Sequence, residues 1–281
     1  VPNIAFLNGR FMPISQAKVH VEDRGYQFGD GVYELIRTYH GKIFFVDDHL
    51  SRMEKSAKAI GLNLFYTRAQ WKKIIMTAHQ KSRFPEARIY IQVTRGVAPR
   101  THEIPSNLRP TTLITVRRFI PLPAKVRKRG VSIATTEDFR WGRCDLKSIN
   151  LLPNILAKHK ARAEGAFEAV FIRNGWVAEG STSNIFAVLS RSLVTPPTGP
   201  YLLAGITRDL VLGLAKQAGL DVKERDFSLD EVCQADEVFL TGTSIEVLPV
   251  VKVNGHTIGT GRPGTYTQRL YSLFESLTEK K

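Results

Sequence analysis

Three Asn-Gly pairs constrain this chain more than any other feature of it. They are Asn8–Gly9, Asn174–Gly175 and Asn254–Gly255, in NIAFLNGRFMPI, FEAVFIRNGWVAEG and VVKVNGHTIG. A two-residue hairpin loop needs positive φ at both positions, which Asn and Gly tolerate, so each pair reads as a tight turn between antiparallel strands. VYELIRTYHGKIFFV repeats the pattern around His40–Gly41. Helical periods lie between the hairpins. DDHLSRMEKSAKAIG has apolar residues at 50, 53, 57 and 60 and closes on Gly61. TRAQWKKIIMTAHQKSR, NLLPNILAKHKARAEG, GITRDLVLGLAKQAG and PGTYTQRLYSLFESL read as further helices, with Pro153 accommodated in a first turn. EARIYIQVTRG, TTLITVRRF, VSIATTE and DEVFLTGT read as strands rich in branched residues. Hairpins interspersed with helices predict an α+β fold with largely antiparallel sheets, not a doubly wound parallel one.

The 281 residues suffice for two modest domains or one large one. PLPAK, at 121–125, carries two prolines that oppose both helix and central strand. The expected division is a smaller N-terminal α/β domain over 1–120, an interdomain linker over 121–125 and a larger domain over 126–281. No apolar run is long enough to span a membrane, and VPNIAFLNGR lacks a signal-peptide core, so a cytoplasmic protein is expected. Cys144 and Cys233 lie far apart without a CxxC or clustered histidines. That excludes a zinc ribbon, and no metal is expected; a single bridge between the two stays open. Forty Lys+Arg against 26 Asp+Glu give a net charge of +14, for which nucleic acid is the obvious partner. A basic nucleic-acid-binding protein without catalysis is therefore the alternative from a different class. Yet the basic residues are scattered, and the densest cluster, KVRKRG at 125–130, is a short run ahead of a strand with no interleaved aromatics. Small anions such as phosphates and dicarboxylates suit such a surface equally.

CDLKSINLL, at 144–152, sets Lys147 between Leu146 and Ile149, just ahead of Leu151 and Leu152. Either the stem lies along the surface with its ammonium in water, or the amine is a nucleophile with a lowered pKa, ready to form a Schiff base. The second reading needs a phosphate grip, a carboxylate for a pyridine nitrogen and a trap for a substrate carboxylate. LLAGITRDL runs from a glycine into a helix with Thr207 in its first turn, which binds anions or serves as a plain cap. FLTGTSIEV adds a hydroxyl-rich turn at Gly242, Thr243 and Ser244. Arg52 borders the stripe of Leu50, Met53 and Ala57, as a snorkelling side chain or a bidentate phosphate ligand. Glu179 follows Val177 and Ala178 at a strand end, either drawn inward as the pyridine carboxylate or facing water. TRGVAPRTH places Arg100 and His102 in a loop, and arginine grips carboxylates through two parallel hydrogen bonds. Tyr33 and Leu35 share a strand face by alternation.

FGDGVYELIR, HLSRMEKSAKAIG, DLKSINLLPNILAKHKARAEG, EGSTSNIF, GITRD and TGTSIEV with its following Pro249 occur in that order. Together they resemble the two-domain fold type IV pyridoxal-phosphate enzymes, most closely the D-amino-acid aminotransferases, over nearly the whole chain. The resemblance implies that Lys147 forms the Schiff base with pyridoxal 5'-phosphate and then moves a proton between the substrate Cα and the cofactor C4′. It implies that Glu179 pairs with the pyridinium and that Leu203 packs against the ring. Arg52, Thr207, Thr243 and the backbone around Ile206 would hold the phosphate, with Thr182 and Ser183 of the Ser181–Ser183 segment adding hydroxyls. Tyr33, Arg100 and His102 would bind the substrate α-carboxylate, the last two from the neighbouring subunit of a homodimer. Leu35, Gly242 and Ser244 would line the pocket. The implied reaction is a ping-pong exchange between a D-amino acid, such as D-alanine or D-glutamate, and a 2-oxo acid, such as 2-oxoglutarate or pyruvate. PRTH is similar to the carboxylate trap of the D-specific enzymes. Branched-chain L-amino-acid aminotransferases and aminodeoxychorismate lyase share the scaffold and stay as alternatives.

Overall fold

The structure, a computed structural model, describes residues 3–280. The chain divides into two compact units. One comprises the residues up to Ile120 together with Leu146–Asn150; the other comprises Pro121–Asp145 and Leu151–Lys280.

The first unit is built on a sheet of β1 (Ile4–Leu7), β2 (Arg10–Pro13), β3 (Gly31–Tyr39), β4 (Lys42–Ile43), β5 (Ala87–Thr94) and β6 (Thr111–Arg118). The strand order is β2-β1-β6-β5-β3-β4, with every pairing antiparallel. Asn8 and Gly9 turn at φ 47° and 95°, and His40 and Gly41 at 50° and 81°, the positive values that tight hairpins require. Three helices accompany the sheet: α1 (Arg24–Phe28), α2 (Val46–Ala59) and α3 (Arg68–Ser82). A capping box starts α3, where Thr67 accepts from the Gln70 N–H and the Gln70 side chain accepts from the Thr67 N–H. Alternation along β3 and β5 sends Val32, Ile36, Ile89, Ile91 and Val93 into one core with Leu50 and Met53 of α2 and Trp71 and Ile75 of α3. Trp71 is fully buried there, and its truncation to alanine would cost about 3–5 kcal/mol.

The second unit carries β7 (Val131–Glu137), β8 (Glu168–Arg173), β9 (Trp176–Gly180), β10 (Asn184–Leu189), β11 (Ser192–Thr195), β12 (Asp221–Glu224), β13 (Glu237–Gly242), β14 (Glu246–Val253) and β15 (His256–Thr257). The order is β12-β11-β10-β13-β14-β7-β8-β9, with β15 on β14. Strand β7 runs parallel to β8 and β14, and β11 parallel to β12; the other pairings are antiparallel. Its helices are α4 (Ala124–Arg129), α5 (Leu152–Ala163), α6 (Ile206–Ala215), α7 (Leu229–Cys233) and α8 (Thr265–Lys280). Of the residues expected as a linker, Ala124 and Lys125 already belong to α4, and the KVRKRG cluster is largely helical. Strands β10 and β13 have two faces. Ile185, Ala187, Val238 and Leu240 enter a core with Val131, Ile133, Val170 and Leu248. Asn184, Phe186, Phe239 and Thr241 share the other face, where the two phenylalanine rings stack at 4.9 Å. Cys144 and Cys233 are both free. Among the described residues, no helix is long and apolar enough to cross a membrane, and no cluster of His, Cys, Asp and Glu is placed to hold a metal.

Candidate active site

The candidate residues divide between the two units. In the first, the segment Leu146–Asn150 is hydrogen-bonded alongside β3: the Tyr33 N–H donates to the Lys147 carbonyl at 3.0 Å and the Ile149 N–H to that of Gly31 at 3.1 Å. The Lys147 N–H donates to Ser56 Oγ on α2 at 3.1 Å. Lys147 is half-buried, and its Nζ lies 4.3 Å from the centroid of the Tyr33 ring. Tyr33 and Leu35 occupy one face of β3, and Tyr33 packs on Tyr90 at 5.7 Å.

The opposite face carries a group that the sequence reading missed. Glu34 alternates with Val32 and Ile36 and is therefore directed into the core, where it is wholly buried. Its carboxylate accepts from Arg52 Nε at 2.7 Å and Nη2 at 2.8 Å, and lies 2.7 Å from His49 Nδ1. Burial pushes the Glu34 pKa up, but the charge and hydrogen bonds of Arg52, joined by His49, outweigh it and bring it down to about 2. Burial lowers the His49 pKa; Glu34 opposes this, and the charges of Arg52 and Lys147 reinforce it. The Nε–Nη2 edge of Arg52 is thus committed to Glu34. A glutamate at a core-facing strand position was the available signal, with His49 and Arg52 three apart on the helix that answers it.

Arg100 and His102, both exposed, meet at Phe28. The Arg100 guanidinium lies 4.8 Å from that ring's centroid, and the His102 ring packs edge-on at 5.7 Å. Arg24, also missed, holds this loop from inside. It is buried, lies 4.9 Å from the same centroid, and donates through Nη1 to the carbonyls of Thr101 at 2.7 Å and Glu103 at 3.2 Å. Its Nε donates to Asp30 at 2.9 Å, and Asp30 also accepts from Arg95 Nε at 2.8 Å. Burial raises the Asp30 pKa, but Arg95 and Arg24 together bring it below its ordinary value.

In the second unit Glu179 closes β9 as a convergence point. It accepts from Arg140 Nη1 at 2.6 Å, from Asn184 Nδ2 at 3.2 Å and from the Leu203 N–H at 3.1 Å. Arg140 is itself held by Asp138, whose side chain is fully enclosed, through Nε and Nη2 at 2.9 Å each, and Arg173 Nε donates to the same acid at 2.9 Å. Burial would lower the Arg140 pKa, yet Asp138 and Glu179 raise it overall. Leu203 acts here through its backbone, since its carbonyl also accepts from Asn184 Nδ2 at 2.9 Å. Gly205 follows, and a Cβ there would come within 2.1 Å of Asn184 Oδ1, so no larger residue fits without moving that amide.

Helix α6 begins at Ile206 after Gly205 with no side-chain cap, leaving its first N–H groups open to an anion, and Thr207 lies buried in that turn. Between β13 and β14, the Ile245 N–H donates to the Gly242 carbonyl at 3.1 Å and closes a turn carrying Thr243 and Ser244. Thr241, opposite Asn184 in register, has a buried hydroxyl with no partner among the described residues. An uncapped helix start and an orphaned hydroxyl in one unit fit a phosphate-bearing group. Ser181, Thr182 and Ser183 donate their hydroxyls to Glu168 at 2.5, 2.7 and 3.4 Å. Glu168 is wholly buried and paired with Lys158 at 3.0 Å, and a buried carboxylate demands such donors. In this structure the Thr182 and Ser183 hydroxyls are therefore directed to Glu168, the shorter contact being that of Thr182.

The family model described as amino-transferase class IV matches residues 31–253. The chain belongs to the class IV aminotransferases. This family is pyridoxal-phosphate-dependent. The chain is 43% identical over 270 residues to the D-alanine aminotransferase of Bacillus licheniformis, covering 96% of this chain and 95% of that one. It is 40% identical over 276 residues to the D-alanine aminotransferase of Staphylococcus haemolyticus, covering 98% of both. Among solved structures, it superposes on the Escherichia coli branched-chain amino acid aminotransferase with a TM-score of 0.93 at 28% identity, covering 99% of this chain and 95% of that one. The branched-chain aminotransferase of the thermophilic archaeon Thermoproteus uzoniensis, solved with norvaline, gives a TM-score of 0.89 at 28% identity, covering 99% and 95%.

Proposed function

We propose that this class IV aminotransferase exchanges the amino group between a D-amino acid, D-alanine or D-glutamate, and a 2-oxo acid, pyruvate or 2-oxoglutarate. The observation that carries this reading is the pairing of Arg100 and His102 on the Phe28 ring, in a loop pinned from below by Arg24. Two cationic or donor groups side by side suit a substrate carboxylate. Support also comes from relatives 40–43% identical over nearly the whole chain that are D-alanine aminotransferases. The family's homodimer, with Arg100 and His102 serving the partner's substrate, and a cytoplasmic setting belong to the same proposal.

Pyridoxal phosphate, when bound, supplies an aldehyde for the amine and a ring that accepts electrons. Lys147 would be its covalent anchor, and its Nζ would carry the proton taken from the substrate Cα. Glu179, oriented by Arg140, Asn184 and the Leu203 N–H, would pair with the ring nitrogen and favour its protonated form. Thr207, Thr243 and the α6 N–H groups would take the phosphate, and Arg52 would add its positive charge. Tyr33 adds a phenol for the substrate carboxylate beside the Lys147 amine, and Leu35, Gly242 and Ser244 limit the side chain.

The test is the absorption spectrum of the purified chain with D-alanine and, separately, with L-leucine. D-alanine alone should bleach the long-wavelength band of the bound aldehyde, and Lys147→Ala should lack both band and reaction. Bleaching by L-leucine alone would select the branched-chain reading, favoured by the likeness to the Escherichia coli and Thermoproteus uzoniensis branched-chain enzymes.

A further inference from the structure

The KVRKRG cluster contains one side chain unlike its neighbours. Lys125, Lys128 and Arg129 on α4 are exposed, whereas the Arg127 side chain is only 14% exposed. Its guanidinium reaches the start of β14. It donates through Nη1 to the carbonyl of Ile245 at 3.1 Å and to that of Val247, and through Nη2 to Glu246 at 2.8 Å. It also lies over the Tyr271 ring of α8, 4.0 Å from the centroid. Two carbonyls, a carboxylate and an aromatic face thus fix one cation.

Glu246 has a backbone to match. Its φ is +58°, the left-handed region, and it is buried. It pairs with Gly242 across the three-residue turn Thr243–Ile245. Such hairpin loops usually place glycine at the left-handed position, because a Cβ there is strained. Here the position is glutamate, with Arg127 holding its carboxylate and the carbonyls on both sides.

We propose that Arg127 is a positioning residue of the active site: by clamping Glu246 in the left-handed conformation it sets the Gly242–Ile245 turn that presents Thr243 and Ser244 to the cofactor phosphate and the substrate. The proposal rests on the pyridoxal-phosphate reading above. It gives the inward-turned member of the basic cluster a task that net charge alone does not.

The experiment is equilibrium dialysis of the full chain against pyridoxal phosphate, with unfolding midpoints measured alongside. Arg127→Ala should raise the cofactor Kd about tenfold or more, the scale of losing charge-assisted hydrogen bonds. Arg127→Lys should fare nearly as badly, since one ammonium cannot serve two carbonyls and a carboxylate in that planar geometry. Glycine adopts the left-handed conformation unaided, so Glu246→Gly should keep the Kd within about twofold. Arg127→Ala combined with Glu246→Gly should then recover most of the lost affinity. An Arg127→Ala chain that binds the cofactor like the wild type, or a double variant no tighter than Arg127→Ala alone, overturns the proposal. If Arg127→Ala does not fold, the double variant decides: near-wild-type Kd supports the clamp, and weak binding or failure to fold overturns it. A wild-type chain that binds no pyridoxal phosphate overturns the functional reading, and the proposal with it.

Discussion

Each unit buries an arginine–carboxylate network, and the two are built in opposite senses. In the first, the acid is innermost: Glu34 is fully enclosed, and Arg52, 13% exposed, is the group nearer solvent. In the second, the innermost acid, Asp138, holds Arg140, and Arg140 in turn holds a second carboxylate, Glu179. The first network therefore presents a cation and the second an anion. Both arrangements solve the same problem, because a charge taken out of water must be paired and hydrogen-bonded. The depth of the chain of partners decides which sign each network presents.

Kinetics offer the sharpest way to break that contrast. Glu179→Gln should lower kcat about a hundredfold to a thousandfold, the range for losing a preorganised charge at a reacting group, while the unfolding midpoint changes little because Asp138 still pairs Arg140. Glu34→Gln should do the reverse, costing stability and cofactor affinity more than kcat. Equal kinetic losses in the two variants would erase the distinction between a presented and a supporting acid.

Stability comes next. Arg140→Ala strips the shared cation from two buried carboxylates and should destabilise the fold by about 3–5 kcal/mol in urea unfolding. Arg52→Ala should cost less, since His49 remains beside Glu34 and takes up a proton.

The acid limb separates the networks further. Glu34 titrates at about 2 in the folded chain against an ordinary 4.5. Its contribution, roughly 3 kcal/mol, is present above the higher value and is lost as pH falls through the lower one. Glu34→Gln should flatten the stability profile across that interval. His49 has the opposite chemistry: burial keeps it neutral, so the fold loses stability as pH drops below the ordinary 6.5 and the unfolded chain takes the proton. The smallest expected effect lies at the two capping boxes, Thr67 with Gln70 and Ser228 with Glu231. Thr67→Ala and Ser228→Ala should each cost about 1 kcal/mol and leave the cofactor Kd unchanged.

Much of the fold was legible in the sequence because its signals are local. Asn-Gly turns require positive φ wherever they occur, the alternation of β3 sorts Val32 and Ile36 from Tyr33 and Leu35, and Gly205 before Ile206 marks a helix start. Lys147, Glu179, Thr207 and the Arg100–His102 pair stand out for the same reason, as residue types at odds with their immediate neighbours. What the sequence could not contain is pairing across distance. Nothing near Ser181, Thr182 and Ser183 says that their hydroxyl protons go to Glu168, and nothing in KVRKRG says that Arg127 turns inward to Glu246 while its neighbours face water. Arg24 reaches the carbonyls of Thr101 and Glu103. Sequence by itself determined which side chains are at odds with their neighbours and so are candidates for chemistry, since local pattern and residue type decide that. Tertiary structure alone decided which of them are left to use it, because a buried donor or charge is claimed by whichever partner the fold brings within about 3 Å, however far away it lies in the chain.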